Sequence, residues 1–360
     1  MLVSFIIPSY NSAHTVKRCL DSIYALPLNR SEFEVIFVDD CSTDNTIEIV
    51  QDYCPSTQES KSGKVDNLIL LHQPQNNRQG AARNRGISIA KGEYICLVDS
   101  DDAVADGIVS AIQLAKELKT DMVAFHFASA NEHGQITGEK EHLSFAPKQI
   151  FSGIEMQLTH SYWCSGPVAY LYSKAFLDQS NYPFYEGVLY EDSDFVSAHL
   201  YYAQRMAYSP ETGYIVHYRE GSTTHSNNYK NNSDYLLLGT RMLALYNIIQ
   251  QDIAQQKRMD DGICKFADDV LEGACWNVTK SLKRLYKLPN GKEIVSFYRR
   301  VDAFVDRHQL YADPLMHKFS YSHLWNTWSA FCMKHKYLSI VVNTMLSWAY
   351  KTLKNVKHKS

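Results

Sequence analysis

Residues 95–104 read "ICLVDSDDAV": a strand suited to burial that then sets three carboxylates, Asp99, Asp101 and Asp102, within four positions. At an effective dielectric of about 20, two such charges about 5 Å apart repel by roughly 3 kcal/mol. A core strand that ends this way calls for a cation at its end. A hard divalent ion such as Mn2+ or Mg2+ takes oxygen ligands, keeps several waters, and commonly combines one or two carboxylates with substrate phosphates. Asp-Ser-Asp supplies that platform. The plainer alternative is that these acids cap the helix starting near Asp106 and face solvent.

Working outward, further short apolar runs at Val3–Ile7, Val35–Val38, Leu68–Leu71 and Met122–Phe127 have the length of buried strands. Helix-like stretches separate them: "SAHTVKRCLDSIYAL" with a candidate Ser12 cap, "TDNTIEIVQDYC", "QGAARNRGISIA" and "DGIVSAIQLAKEL". This alternation predicts an α/β, Rossmann-like, mainly parallel sheet flanked by helices, with ligands at the carboxyl ends of the strands. After about residue 128 the rhythm changes to a polar hairpin, "NEHGQITGEK", and an aromatic-rich stretch from Phe151 to Tyr218. The polar segment "SNNYKNNSD" then leads into helical sequence from Tyr235. The expected division is a domain over 1–230, in halves 1–128 and 129–230, followed by a mostly helical region over 231–360.

Composition narrows the class. The 360 residues are 45% hydrophobic and 12% aromatic, enough for a substantial core. With 36 basic and 39 acidic side chains and a net charge of -3, there is no global field for nucleic acid. The eight cysteines form no CxxC pair, which favours reduced thiols and a cytoplasmic setting over a zinc site or a disulfide framework. "MLVSFIIPSYN" lacks the basic region of a secretion signal, and no apolar run reaches the roughly 18 residues a membrane span needs. The tail from Lys334 carries Lys336, Lys351, Lys354, Lys357 and Lys359 with no acid. It reads either as an ordinary packed helix or as a segment lying on an anionic inner leaflet.

Polar clusters fall where the strands end. Pro8 turns the chain and Tyr10 can offer a flat ring to a planar ligand. Asp39 of "VDDCSTDNT" can accept N–H donors from a base, while Asp44 serves either as ligand contact or as a cap. "NNRQGAARNRG" places Arg78, Arg83 and Arg85 early in a helix, where the macrodipole disfavours cations, so an anion is expected near Arg83. In "YEDSDF", Asp192 is either a general base for an acceptor hydroxyl or a surface residue at a helix start. "YIVHYREGSTTH" gathers His217, Arg219, Ser222 and His225, donors and candidate metal ligands.

"SFIIPSYN", "FEVIFVDDCSTDNT", "AARNRGISIAKGEYICLVDSDD" and "YEDSDF", in this order over roughly residues 2–225, resemble the inverting glycosyltransferases of family 2, which have the GT-A fold. The resemblance implies a nucleotide-diphosphate sugar donor, a UDP-sugar first among the candidates, with Pro8, Tyr10 and Asp39 around base and ribose and Arg83 near the nucleotide or diphosphate. It implies that Asp99 and Asp101, spaced by Ser100, form an Asp-x-Asp motif for Mn2+ or Mg2+, with Asp101 the better ligand. Asp192 matches the catalytic base, and His217 with Arg219 matches the segment that closes over the diphosphate, His217 as a further metal ligand. Trp163 and Glu191 are assigned to the acceptor, a glycan or lipid-linked saccharide. The setting implied is assembly of bacterial surface polysaccharide, in the cytoplasm or peripherally on the inner membrane. Two departures stand out: Arg78 where many relatives have Gly, and Ala169 or Tyr170 where many have a basic residue. A nucleotidyltransferase or a non-catalytic sugar-nucleotide or glycan-binding module are the alternatives.

Overall fold

A computed structural model of the chain describes residues 1–53, 67–131, 133–139, 142–160, 166–218 and 232–283. Trp163, Arg219 and the lysine-rich tail lie outside them. The chain divides into two compact units, 1–226 and 227–360.

The first unit is built on strands β1 (Val3–Ser9), β2 (Phe33–Asp39), β3 (Leu68–His72), β4 (Tyr94–Leu97), β5 (Ala103–Val104), β6 (Met122–Ala130), β7 (Ile136–Glu139), β8 (Tyr170–Ser173) and β9 (Met206–His217). Its helices are α1 (Val16–Tyr24), α2 (Thr46–Gln51), α3 (Arg78–Ile89), α4 (Gly107–Leu118), α5 (Gly153–Thr159), α6 (Lys174–Ser180) and α7 (Asp192–Tyr202). The sheet runs β3-β2-β1-β4-β8-β6-β9-β5, with β7 paired on β6. The four strands β3, β2, β1 and β4 are mutually parallel, β8 is antiparallel to both neighbours, and β6 and β9 are parallel.

β1 is apolar along nearly its whole length because it is covered on both faces. Val3, Phe5 and Ile7 enter the core with Val16, Cys19, Leu20 and Ile23 of α1 and Ile108, Ala111 and Ile112 of α4. Ile6 points the other way, where a Cβ on Gly86 of α3 would lie 2.4 Å from its Cγ2. Only glycine lets α3 approach so closely. The strand order reverses at β1: β2 and β3 lie to one side and β4 to the other. A doubly wound sheet opens a crevice at the carboxyl ends of the strands beside such a reversal. The ends of β1 and β4 are "PSYN" and "DSDD".

The polar stretch after β6 does fold as a hairpin into β7, closed by Asn131 N–H to Gln135 O at 3.0 Å. Ser12 differs from expectation: α1 starts at Val16 without a side-chain cap, and the Ser12 hydroxyl shares a 2.6 Å hydrogen bond with Ser100 instead.

The second unit contains α8 (Asn232–Ala254) and α9 (Ile263–Lys283). Leu238, Leu245 and Ile249 of α8 and Phe266, Val270 and Leu271 of α9 are buried, and Asn277 donates to Met242 Sδ across the pair at 3.3 Å. No helix among the described residues is long and apolar enough to cross a membrane.

Candidate active site

At the sheet reversal lies a cleft of about 470 Å3 lined by Pro8, Tyr10, Ser12, Asp40, Asn76, Arg78, Gln79, Asp99, Ser100, Asp101, Tyr190 and Asp192, among others. Residues nearly 200 positions apart meet here because the end of β1, the end of β4, the start of α3 and the start of α7 converge on it. The Tyr10 ring is half exposed at its edge.

The acidic turn after β4 is held from beneath. Asp102 N–H closes it onto Asp99 O at 3.0 Å. Asp99 N–H donates to the Tyr214 hydroxyl at 3.0 Å, and that hydroxyl donates to Asp102 Oδ2 at 2.9 Å. Arg18 of α1 donates to Asp101 O. Carboxylate oxygens of Asp99, Asp101 and Asp102 come within 4.8 Å of one another, an all-oxygen set suited to a hard divalent cation. Asp102 is nevertheless a brace first: it is buried, and its Oδ1 accepts His217 N–H at 2.8 Å. Burial, reinforced by Asp99 and Asp101, pushes its pKa up to about 8.

Arg83 supplies a cation that the protein carries itself. Its guanidinium is 1% exposed, and Nη2 donates to Asp99 Oδ1 at 2.8 Å while Nη1 donates to Glu191 Oε1 at 2.8 Å and Asp192 Oδ1 at 2.6 Å. Its Cζ lies over the Phe184 ring, 5.1 Å from the centroid, and Phe184 stacks on Phe195 at 3.6 Å. The small residues Gly80, Ala81 and Ala82 before it bring α3 close to this segment; a Cβ on Gly80 would meet Tyr185 O at 2.7 Å. Burial opposes the charge on Arg83, but Asp192, Asp99 and Glu191 together hold it protonated well above the ordinary range.

One guanidinium cannot neutralise three carboxylates, and the surplus falls on the most buried of them. Burial, then repulsion from Asp192, raises Glu191 to about 8, outweighing the attraction of Arg83. A folded-state pKa above the ordinary 4.5 means that the folded protein holds an extra proton between about 4.5 and 8. Stability therefore declines as pH rises through that window. Asp102 adds a second decline over a similar range. Glu191→Gln, which mimics the neutral acid, is expected to flatten part of the slope of urea midpoint between pH 5 and 9. An unchanged slope would show that Glu191 is ionised throughout.

The expected site residues thus divide. Pro8, Tyr10, Asp99, Ser100, Asp101 and Asp192 line one cleft. Asp39 does not: it is fully buried, with His72 Nδ1 donating to its Oδ2 at 2.6 Å and Ser42 N–H at 3.2 Å from both oxygens. Asp40, on the opposite side of the extended chain, lines the cleft in its place, accepting from Gln73 Nε2 at 2.9 Å and Asn77 N–H at 2.8 Å. Arg83, expected beside the nucleotide, is instead walled in behind the carboxylates. Glu191, expected at the acceptor, is 0% exposed and turned to Arg83. His217, expected as a metal ligand, falls outside the acidic cluster, its Nδ1 near Ile215 O at 3.3 Å. Sequence reasoning missed Asn76, Gln79 and Tyr190. Arg78 and Tyr190 both have positive φ, 66° and 68°, conformations that bulky residues adopt at a cost and that cluster at functional sites.

The sequence and the fold can be set beside those of known proteins. Residues 4–179 match Glycosyl transferase family 2. The chain is 34% identical over 136 residues to a poly(ribitol-phosphate) β-glucosyltransferase of Bacillus spizizenii, covering 37% of this chain and 20% of that protein. It is 29% identical over 229 residues to the succinoglycan biosynthesis protein ExoO of Rhizobium meliloti, covering 61% and 62%. The chain thus spans less than two thirds of either relative. Among solved structures, residues 1–349 of Staphylococcus aureus TarS superpose with a TM-score of 0.63 at 19% identity, covering 98% of this chain and 92% of that one. The same protein in complex with UDP-GlcNAc gives 0.55 at 20% identity, covering 86% and 91%. The fold is that of the GT-A enzymes, an α/β sheet followed by a helical C-terminal part. On its sequence match and its fold, the stretch over residues 4–179 is a glycosyl transferase family 2 domain.

Proposed function

We propose that the chain transfers a sugar from a nucleotide-diphosphate sugar, a UDP-sugar by preference, to an acceptor hydroxyl with inversion at the anomeric carbon. The observation that carries this reading is that Asp192 and the Asp99–Asp101 pair line one cleft and are tied through Arg83. Asp192 is the general base. Its Oδ1 is engaged by Arg83, so Oδ2 takes the acceptor proton as the hydroxyl oxygen attacks from the side opposite the departing diphosphate. Tyr10 and Pro8 receive the base of the nucleotide, with Asp40 and Asn76 offering polar contacts from the same wall. Asp99 and Asp101 are the residues that would hold Mn2+ or Mg2+, which neutralises charge on the leaving diphosphate when bound.

The acceptor is a glycan or lipid-linked saccharide, and the setting is bacterial surface polysaccharide assembly in the cytoplasm or at the inner leaflet. The names of the relatives, a poly(ribitol-phosphate) glucosyltransferase and a succinoglycan biosynthesis protein, support that setting. The UDP-GlcNAc complex of TarS supports a UDP-linked donor.

A thermal-shift panel of UDP-, GDP- and dTDP-sugars with and without Mn2+, followed by hydrolysis assays on the sugars that bind, tests the reading. Binding of at least one sugar nucleotide should strengthen with Mn2+. Asp101→Ala should weaken that Mn2+-dependent binding by roughly tenfold or more, about 1.4 kcal/mol, and lower turnover with it. If no sugar nucleotide shifts or hydrolyses, or if Asp101→Ala binds and turns over as wild type does, the assignment is wrong.

A further inference from the structure

Away from the cleft, on the face of the sheet opposite the core of α1 and α4, lies a second group of donors. His126 sits in the middle of β6, between Phe125, which enters that core, and Phe127. It is 1% exposed, yet neither Nδ1 nor Nε2 has a hydrogen-bond partner. An unsatisfied buried polar group is costly and rare enough in native proteins to require a cause. Two further donors lie beside it. The His142 ring lies 3.9 Å from the His126 ring, centroid to centroid, and Glu139 of β7 pairs with Ala128, two residues along β6 and so on the same face. One ring nitrogen of each histidine and one carboxylate oxygen of Glu139 come within 4.8 Å of one another.

We propose that His126, His142 and Glu139 form a metal site for a borderline cation of the zinc class, which fastens the β6–β7 hairpin and the chain at residue 142 to the sheet. Two imidazoles and a carboxylate are a usual donor set for Zn2+ or Co2+, whereas Mn2+ and Mg2+ favour the all-oxygen cluster of Asp99 and Asp101. The two sites therefore differ in chemistry as well as in place. Ligating histidines typically engage their other ring nitrogen with a neighbour that fixes orientation. His142 has such a neighbour: its Nδ1 lies 3.0 Å from the hydroxyl of Tyr208 on β9, which leaves Nε2 for the ion when Nδ1 carries the proton. The two rings are inclined by only 15°, so their in-plane lone pairs run side by side. Capture of an ion requires one ring to turn. His142 is exposed and turns about its Nδ1 contact with Tyr208, which is kept as the pivot, while His126 is walled in and serves as the fixed donor. Three protein donors leave a coordination position for water.

The test uses the full-length, untagged chain, stripped with a chelator and desalted. Co2+ should give the visible d–d absorption of a nitrogen-ligated, low-coordinate site, and Zn2+ alone, titrated by calorimetry, should bind and raise the unfolding temperature. Both effects should persist in Asp99→Asn/Asp101→Asn, which removes the oxygen cluster. His142→Ala changes an exposed side chain and does not challenge folding. It should weaken Zn2+ binding by at least roughly tenfold, the scale reached even when an outer partner of a metal ligand is lost. His126→Gln and Glu139→Gln should act in the same direction. Absence of the Co2+ spectrum in the wild type, or Zn2+ affinity unchanged in His142→Ala, overturns the site.

Discussion

Asp192→Asn should lower transfer by roughly a hundredfold to ten-thousandfold, the span expected when a general base is removed, while donor and Mn2+ affinity remain close to wild type. The geometry makes this substitution unusually clean. Asp192 opens α7 with its side chain 32% exposed, so no core packing is lost, and the amide oxygen can still accept from Arg83 Nη1. Electrostatics favour the variant as well. Arg83 keeps Asp99 and Glu191, and Glu191 is relieved of the repulsion that helps raise its pKa. Stability should therefore hold or rise slightly, and a loss of rate cannot be assigned to unfolding. Calorimetric titration of the donor with Mn2+, beside a transfer assay, separates binding from chemistry. Neighbouring acids offer no ready substitute, because Glu191 and Asp194 are both fully buried. Wild-type turnover in Asp192→Asn would remove the base from this reading altogether.

Arg83→Met should destabilise the first unit by about 3–5 kcal/mol, the scale seen when one member of a buried ion pair is deleted and the other charges stay behind. Three carboxylates converge on this one guanidinium, and Glu191 has no route to solvent. Glu191 already holds a proton below about pH 8, so the loss should grow as pH rises above that value. The double variant Arg83→Met/Glu191→Gln should lack that growth, and the cycle of single and double variants isolates the coupling. Arg83→Lys tests a different property. A lysine keeps the charge but lacks the planar fork that reaches Asp99 on one side and Glu191 with Asp192 on the other. It should fold while losing activity, because the acidic turn and the proposed base are then no longer held by a common group. Urea unfolding of the three variants, with transfer assays on those that fold, gives the measurement. An Arg83→Met protein as stable as wild type would show that the triple contact contributes nothing net.

Much of the architecture was legible along the chain because it depends on local pattern. Strands such as Val3–Ile7 are apolar on both faces, amphipathic or small-residue helices follow each of them, and that alternation admits few arrangements other than a covered parallel sheet. The carboxylates after β4 stood out for the same reason: their mutual repulsion is a property of spacing alone. The GT-A assignment rested on several such stretches in a fixed order, and the match over residues 4–179 agrees with it.

Tertiary structure decided what each polar residue faces. Asp39 and Asp40 are adjacent and chemically identical, and only the direction in which the extended chain presents them sends one to His72 and the other to the cleft. Arg83 offers the clearest case. In sequence it is a cation near a helix start that calls for an anion, and a bound nucleotide satisfies that need as well as anything else. Its partners lie 16 and 108 to 109 residues away, and no local pattern encodes that distance. Glu191 and Asp192 show the same limit at a separation of one residue. Both read as acids at a helix start, yet the turn into α7 buries the first and leaves the second part-exposed in the cleft, and the cost of desolvating a charge raises the pKa of Glu191. Periodicity and spacing identify which elements form and which residue types are costly to bury; the identity of the group that meets each charge is a long-range contact, set only when the sheet and its helices close on one another.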